Sequence, residues 1–61
     1  MEAAPPKPTS PRVLVVEDEP DIAALSAYQL TRGGFRVETA SSGTDALTAV
    51  NREIPDLVVL D

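Results

Sequence analysis

Two short runs, Val13-Leu14-Val15-Val16 and Leu57-Val58-Val59-Leu60, constrain the fold more than any other feature of the sequence. Each is wholly apolar and rich in β-branched residues, the pattern of a strand covered on both faces in a parallel sheet rather than one with a wet side. Each also runs directly into acid: Glu17-Asp18-Glu19-Pro20 follows the first and Asp61 follows the second. A chain with two such strands needs crossover segments long enough to cover them.

The intervening residues supply those segments. Pro20 suits a first helical turn, where a missing N–H costs nothing, and Asp18 or Glu19 can cap the exposed donors. Counting about 100° per residue, Ile22, Leu25 and Leu30 fall within an arc of about 140°, an apolar stripe that Ser26 and Gln29 interrupt. Gly33-Gly34 then ends the helix, because a left-handed terminus favours glycine. The pair follows a helix and precedes a strand, the wrong context for a phosphate-binding loop. Phe35-Arg36-Val37-Glu38-Thr39 alternates apolar and polar residues and predicts an edge strand with one face covered and one wet. Ser41 and Ser42 are N-cap candidates, and Asp45 lies in the first turn of a second helix. There Ala46, Leu47, Val50 and Ile54 form a stripe of about 100°, with Asp45, Thr48 and Arg52 outward, until Pro55 stops the helix.

The order strand, helix, strand, helix, strand with short connections is a βαβαβ pattern with right-handed crossovers. The middle strand is half-exposed and therefore lies at the edge, so the third strand pairs on the far side of the first and the order is 2-1-3. Right-handedness puts the two helices on opposite faces, where they are expected to cover the first and third strands. The winding direction reverses between the carboxyl ends of those strands, which is where open α/β sheets form a ligand crevice. Glu17, Asp18 and Asp61 are thereby brought together. Clustered carboxylates repel one another unless protons or a cation neutralise them. A hard divalent ion, Mg²⁺, fits an all-oxygen set that leaves room for water and phosphate oxygens.

Composition narrows the chemistry. Of 61 residues, 43% are hydrophobic but only 3% aromatic, so the core is aliphatic. Ten acidic against five basic residues give a net charge of -5, which speaks against nucleic-acid contact by this segment. The sequence contains no Cys and no His, which leaves carboxylates and bound ions as its reactive groups. No apolar run approaches the roughly 20 residues of a membrane span, and a cytoplasmic protein is expected. Residues 1–11, with Pro5, Pro6, Pro8 and Pro11, read as a disordered leader, and residues 12–61 as the folded part.

The string VLVVEDEP, then GFRVETASSG after a glycine-terminated helix, then PDLVVLD after a second helix, resembles the first three strands of the response-regulator receiver domain over about Arg12 to Asp61. That resemblance implies part of a flavodoxin-like fold, the N-terminal half of a domain with five strands and five helices. It implies that Glu17 and Asp18 are the acidic pair holding Mg²⁺ together with Asp61, and that Asp61 is the residue phosphorylated by a sensor histidine kinase. Such a module is a signalling phosphoacceptor and not an enzyme, and it assists its own phosphorylation only as a complete domain. The resemblance further implies a C-terminal output domain or dimer partner outside this segment, commonly controlling transcription. The hydroxyl, lysine and aromatic residues that complete the family's site lie beyond Asp61.

Taken singly, Glu17 to Glu19 read equally well as helix-start acids, and Asp61 as a turn residue. Their convergence at one switch point favours the functional reading, with Glu19 left as a cap. Two other readings stand beside it: a fragment of an aspartate-nucleophile phosphatase or phosphotransferase, and a degenerate receiver-like interaction module. The third strand has an apolar unpaired edge, so the 61 residues alone are expected to be at best partly folded. Far-ultraviolet circular dichroism under urea titration checks this, and a cooperative transition contradicts it.

Overall fold

The computed structural model describes residues 6–60. The elements come in the expected order: β1 (Arg12–Val16), α1 (Pro20–Arg32), β2 (Arg36–Ala40), α2 (Gly43–Arg52) and β3 (Leu57–Leu60). All three strands are parallel in the order β2-β1-β3, a partial flavodoxin-like α/β arrangement. The leader's first five residues lie outside the described ones. Residues 6–11 include a turn in which Ser10 N–H donates to the Lys7 carbonyl at 2.9 Å, and Arg36 Nε donates to the Ser10 carbonyl at 2.9 Å.

β1 is the centre of the structure. Val13, Leu14 and Val15 are each 1% exposed, as a doubly covered apolar run requires. On one face Leu14 and Val16 meet Ala40 of β2 and Ala46, Ala49 and Val50 of α2. Val13 and Val15 project to the opposite face by strand alternation, and α1 packs against β1 and β2.

The second apolar run does not share this burial. Both helices contact β1 and β2, and among the described residues neither contacts β3. Leu57 is 56% and Leu60 77% exposed, which corrects the expectation that α1 and α2 cover the first and third strands. The reason lies in the crossovers: each helix has one end tied to β2, at the sheet edge, and its axis lies over the β2–β1 seam. An all-apolar strand records the cover a position needs, not which element provides it.

The apolar stripes are corrected in the same way. In α1 the buried residue is Ala23, with Ser26, Ala27 and Leu30 half-buried, while Ile22 and Leu25 are exposed. In α2 Ala49 is buried and Ala46 and Val50 half-buried, while Leu47 is exposed; the helix ends at Arg52 rather than at Pro55, so Ile54 lies beyond it and is exposed. Both helices approach the sheet through alanine, whose small side chain permits close contact, and the larger residues flank that line.

The helix ends follow their local chemistry with one exception. Glu19 occupies the α1 N-cap position without a side-chain cap bond, so neither Asp18 nor Glu19 caps the helix as expected. At the other end Gly33 N–H donates to Gln29 and Leu30 carbonyls, and Gly34 takes the left-handed φ of 96° that turns the chain into β2. Ser42 caps α2 by accepting the Asp45 N–H at 3.1 Å, and Ser41 Oγ donates to the Asp45 carboxylate at 2.8 Å.

The polar face of β2 is not simply wet. Glu38 lies opposite Leu14 in the register, on the side that α2 covers, and its carboxylate pairs with Arg12 of β1 and Arg52 of α2. Glu53, just beyond α2, reaches Arg12 and Arg36, each at 3.4 Å. Arg12 Nε is buried without a hydrogen bond, so its approach to Glu53 is charge proximity rather than a directed bond. Hydrogen bonds from Arg52 and then Arg12 hold the Glu38 carboxyl below its ordinary value of 4.5, against a smaller opposing effect of burial. A lowered carboxylate value means that stability from these pairs is fully present above the ordinary range and lost as pH falls through the lowered value. Glu38→Gln in the full-length protein is expected to lower the thermal midpoint at pH 7 and to flatten its decline below about pH 4.5, read from melts across a pH series.

Candidate functional site

The parallel register sets the site. Val16 lies opposite both Ala40 and Leu60, so the carboxyl tips of the three strands end level. Glu17 continues the ladder by one bond, donating its N–H to the Ala40 carbonyl at 2.9 Å. The chain then bends at Asp18 and enters α1 at Pro20.

Glu17 is the only buried carboxylate among the described residues, 8% exposed. Its Oε1 accepts the Glu19 N–H at 3.4 Å, a long hydrogen bond. No ion pair reaches Glu17 or Asp18 among the described residues. Asp18 is exposed beside it. The two acids line a cleft of about 340 Å³ between the start of α1 and the end of β2, with Pro20, Ala23, Ala24 and Ala27 along one wall and Thr39, Ala40 and Ser41 along the other. The alanines that bring α1 close to the sheet therefore also keep this space open.

Asp61 lies outside the described residues. Leu60, to which it is bonded, sits opposite Val16, to which Glu17 is bonded. Glu17 and Asp18 are thus together at the tip of β1, next to the tip of β3. Among the described residues no three acidic side chains form a group able to hold a metal. The donors present are carboxylate oxygens, with no imidazole or thiolate in the chain, and a buried carboxylate lacking a basic partner is a fit for a hard cation. Thr39 was read from the sequence only as a strand residue and the α1 alanines were not singled out, because a place on the cleft wall follows from tertiary packing.

A second cleft of about 350 Å³ lies over β2 and α2, lined by Glu38, Thr39, Ser41, Asp45, Thr48 and Arg52. Most of its polar groups are already paired: Ser41 with Asp45, Thr48 with the Thr44 carbonyl and Arg52 with Glu38. It offers a ligand little unmet hydrogen bonding.

The comparison that decides the family is a profile match to the response regulator receiver domain over residues 13–61. The chain belongs to the response regulator receiver family. This receiver segment is 50% identical over 50 residues to the alkaline phosphatase synthesis transcriptional regulatory protein PhoP of Bacillus subtilis, covering 82% of the chain and 21% of that protein. It is 47% identical over 53 residues to the transcriptional regulatory protein PrrA of Mycobacterium tuberculosis, covering 87% of the chain and 23% of the relative. The transcriptional regulatory protein AfsQ1 of Streptomyces coelicolor is 45% identical over 51 residues, 84% of the chain and 23% of the relative. The chain spans about a fifth of the length of these curated relatives. No solved structure matches the chain. Membership of the receiver family leaves the aspartate-nucleophile phosphatase reading without support. Among the described residues no helix is long and apolar enough to cross a membrane.

The burial of Glu17 in the receiver domain has a measurable consequence. A carboxyl group buried with one long hydrogen bond and no basic partner costs the fold more than an amide of the same shape. Glu17→Gln in the full-length protein is expected to stabilise the fold by about 1 kcal/mol in metal-free buffer, measured by denaturant titration. Destabilisation of that size would show that the charge is satisfied by the protein itself.

Proposed function

We propose that the chain is the phosphoryl-accepting part of a two-component response regulator and that Asp61 takes the phosphoryl group from a histidine of a sensor kinase. The observation that carries this reading is the pairing of Val16 with Leu60, because it makes Glu17-Asp18 and Asp61 the residues that follow two level, adjacent strand tips. Glu17 and Asp18, with Asp61, would hold Mg²⁺. When bound, the ion supplies neutralisation of charge between the acceptor carboxylate and the incoming phosphoryl group.

In this reading a carboxylate oxygen of Asp61 attacks phosphorus and forms the P–O bond of an acyl phosphate while the P–N bond to the kinase histidine breaks. The departing imidazole nitrogen carries away the electron pair. Glu17 is held in place by the hydrogen bond that its backbone N–H donates to the Ala40 carbonyl and by its burial, so its carboxylate is oriented before any ligand arrives. The protein acts in the cytoplasm as a signalling acceptor rather than an enzyme acting on an external substrate. Its transcriptional relatives make a C-terminal output domain or a dimer partner the natural recipient of the signal. The net charge of -5 agrees with leaving nucleic-acid contact to that other part.

The test is phosphorylation of the full-length protein by a labelled kinase or acetyl phosphate with Mg²⁺. An acid-labile, hydroxylamine-sensitive phosphate is expected, absent in Asp61→Asn. Asp18→Asn is expected to raise the Mg²⁺ requirement by about tenfold or more, since even changes outside the ligand shell cost that much in metal affinity. Label that persists in Asp61→Asn removes that residue from the role of acceptor, and a protein that takes no label at all is a degenerate interaction module.

A further inference from the structure

β3 is the strand whose position is least constrained by its own side chains. Its four residues are Leu-Val-Val-Leu, both of its faces are apolar, and among the described residues only β1 contacts it. Register is strongly specified where one face is buried and the other wet, because a one-residue slip then exposes the buried set. In β3 a slip only exchanges leucine for valine on either face, because all four residues are apolar. Burial therefore gives little preference for the observed pairing of Val13 with Leu57 and Val16 with Leu60.

Asp56, immediately before the strand, supplies what the pattern lacks. Its N–H donates to the Arg12 carbonyl at 2.9 Å, and its Oδ2 accepts the Arg12 N–H at 2.7 Å. Two short bonds thus close on a single residue at the foot of β1, and the second can form only when a side-chain acceptor stands at that point. The residue gripped is itself immobilised. Arg12 pairs in register with Arg36, its guanidinium binds Glu38, and Glu53 lies within 3.4 Å. The grip therefore refers β3 to the part of the fold that β1, β2 and α2 hold together.

We infer that Asp56 is a positioning residue, which fixes the register of β3 on β1 and so sets Leu60, which Asp61 follows in the sequence, opposite Val16, which Glu17 follows. The inference rests on the proposed role of Asp61 as acceptor. A slip of one residue moves the tip of β3 by about 3.3 Å. A displacement of about 1 Å is enough to cost a reaction about a hundredfold in rate.

The experiment uses full-length protein carrying Asp56→Ala or Asp56→Asn. The rate of phosphate acceptance from acetyl phosphate is measured at saturating Mg²⁺, and the nuclear Overhauser contact between Val16 and Leu60 is followed in the same samples. Asp56→Ala is expected to lower the rate by about tenfold or more and to weaken or abolish that contact. Asp56→Asn keeps a side-chain oxygen for the Arg12 N–H and is expected to stay within about twofold of the native rate with the contact intact. Should the alanine variant not fold, Asp56→Glu, which keeps the charge but moves the acceptor by one carbon, takes its place with the same expectation. An unaltered rate in the alanine or glutamate variant overturns the inference. So does a reduced rate with the Val16–Leu60 contact unchanged, or a folded Asp56→Asn that is as slow as the alanine variant. If Asp61→Asn still takes label, the acceptor assignment fails, while the contact measurement continues to test the register alone.

Discussion

Every element of this segment is organised around the pairing of β1 with a neighbour on each edge. Its three innermost residues are almost wholly withdrawn from water, its backbone is bonded to β2 and β3, and both helices lie against it. A strand in that position cannot slide or rotate without breaking two ladders and exposing Val13, Leu14 and Val15 together. It therefore serves as the fixed reference for whatever is attached to its two ends.

The two ends differ in their electrostatics. At the foot, Arg12, Arg36 and Arg52 are set against Glu38 and Glu53, and Asp56 is satisfied by backbone amide and carbonyl groups of Arg12. At the tip, Glu17 and Asp18 have no basic partner among the described residues. Three of the chain's five basic residues are committed to the foot, and none of them reaches the two acids at the tip. This asymmetry along one strand separates paired charges at the foot from carboxylates without a basic partner at the tip.

Much of this was legible in the residues. The continuous apolar run of β1, the half-polar run of β2 and the glycine stop at Gly33-Gly34 gave the element order, and placing the half-polar strand at the edge then put β3 on the far side of β1. The helix faces were misread because large apolar residues were taken to mark the buried stripe. Ala23 and Ala49 are the buried residues instead, Ile22, Leu25 and Leu47 are exposed, and Ile54 lies beyond the end of α2. Periodicity locates an apolar side of a helix to within a wide arc, and the neighbouring strand selects which residues within that arc touch it. The polar face of β2 was misread for a related reason, since Glu38 is shielded by α2 only because Arg12 and Arg52 arrive from elements distant in sequence.

The sequence by itself determined the alternation of strand and helix, the parallel order 2-1-3 and the placing of acids after two apolar strands, because each follows from local periodicity, turn chemistry and chirality. Tertiary structure decided that Glu17 is the buried acid, that alanines leave a cleft above it, and that Asp56 grips Arg12 across the sheet. These depend on register and on distances between residues far apart in the chain, and no local pattern encodes a distance between two strands before they have paired.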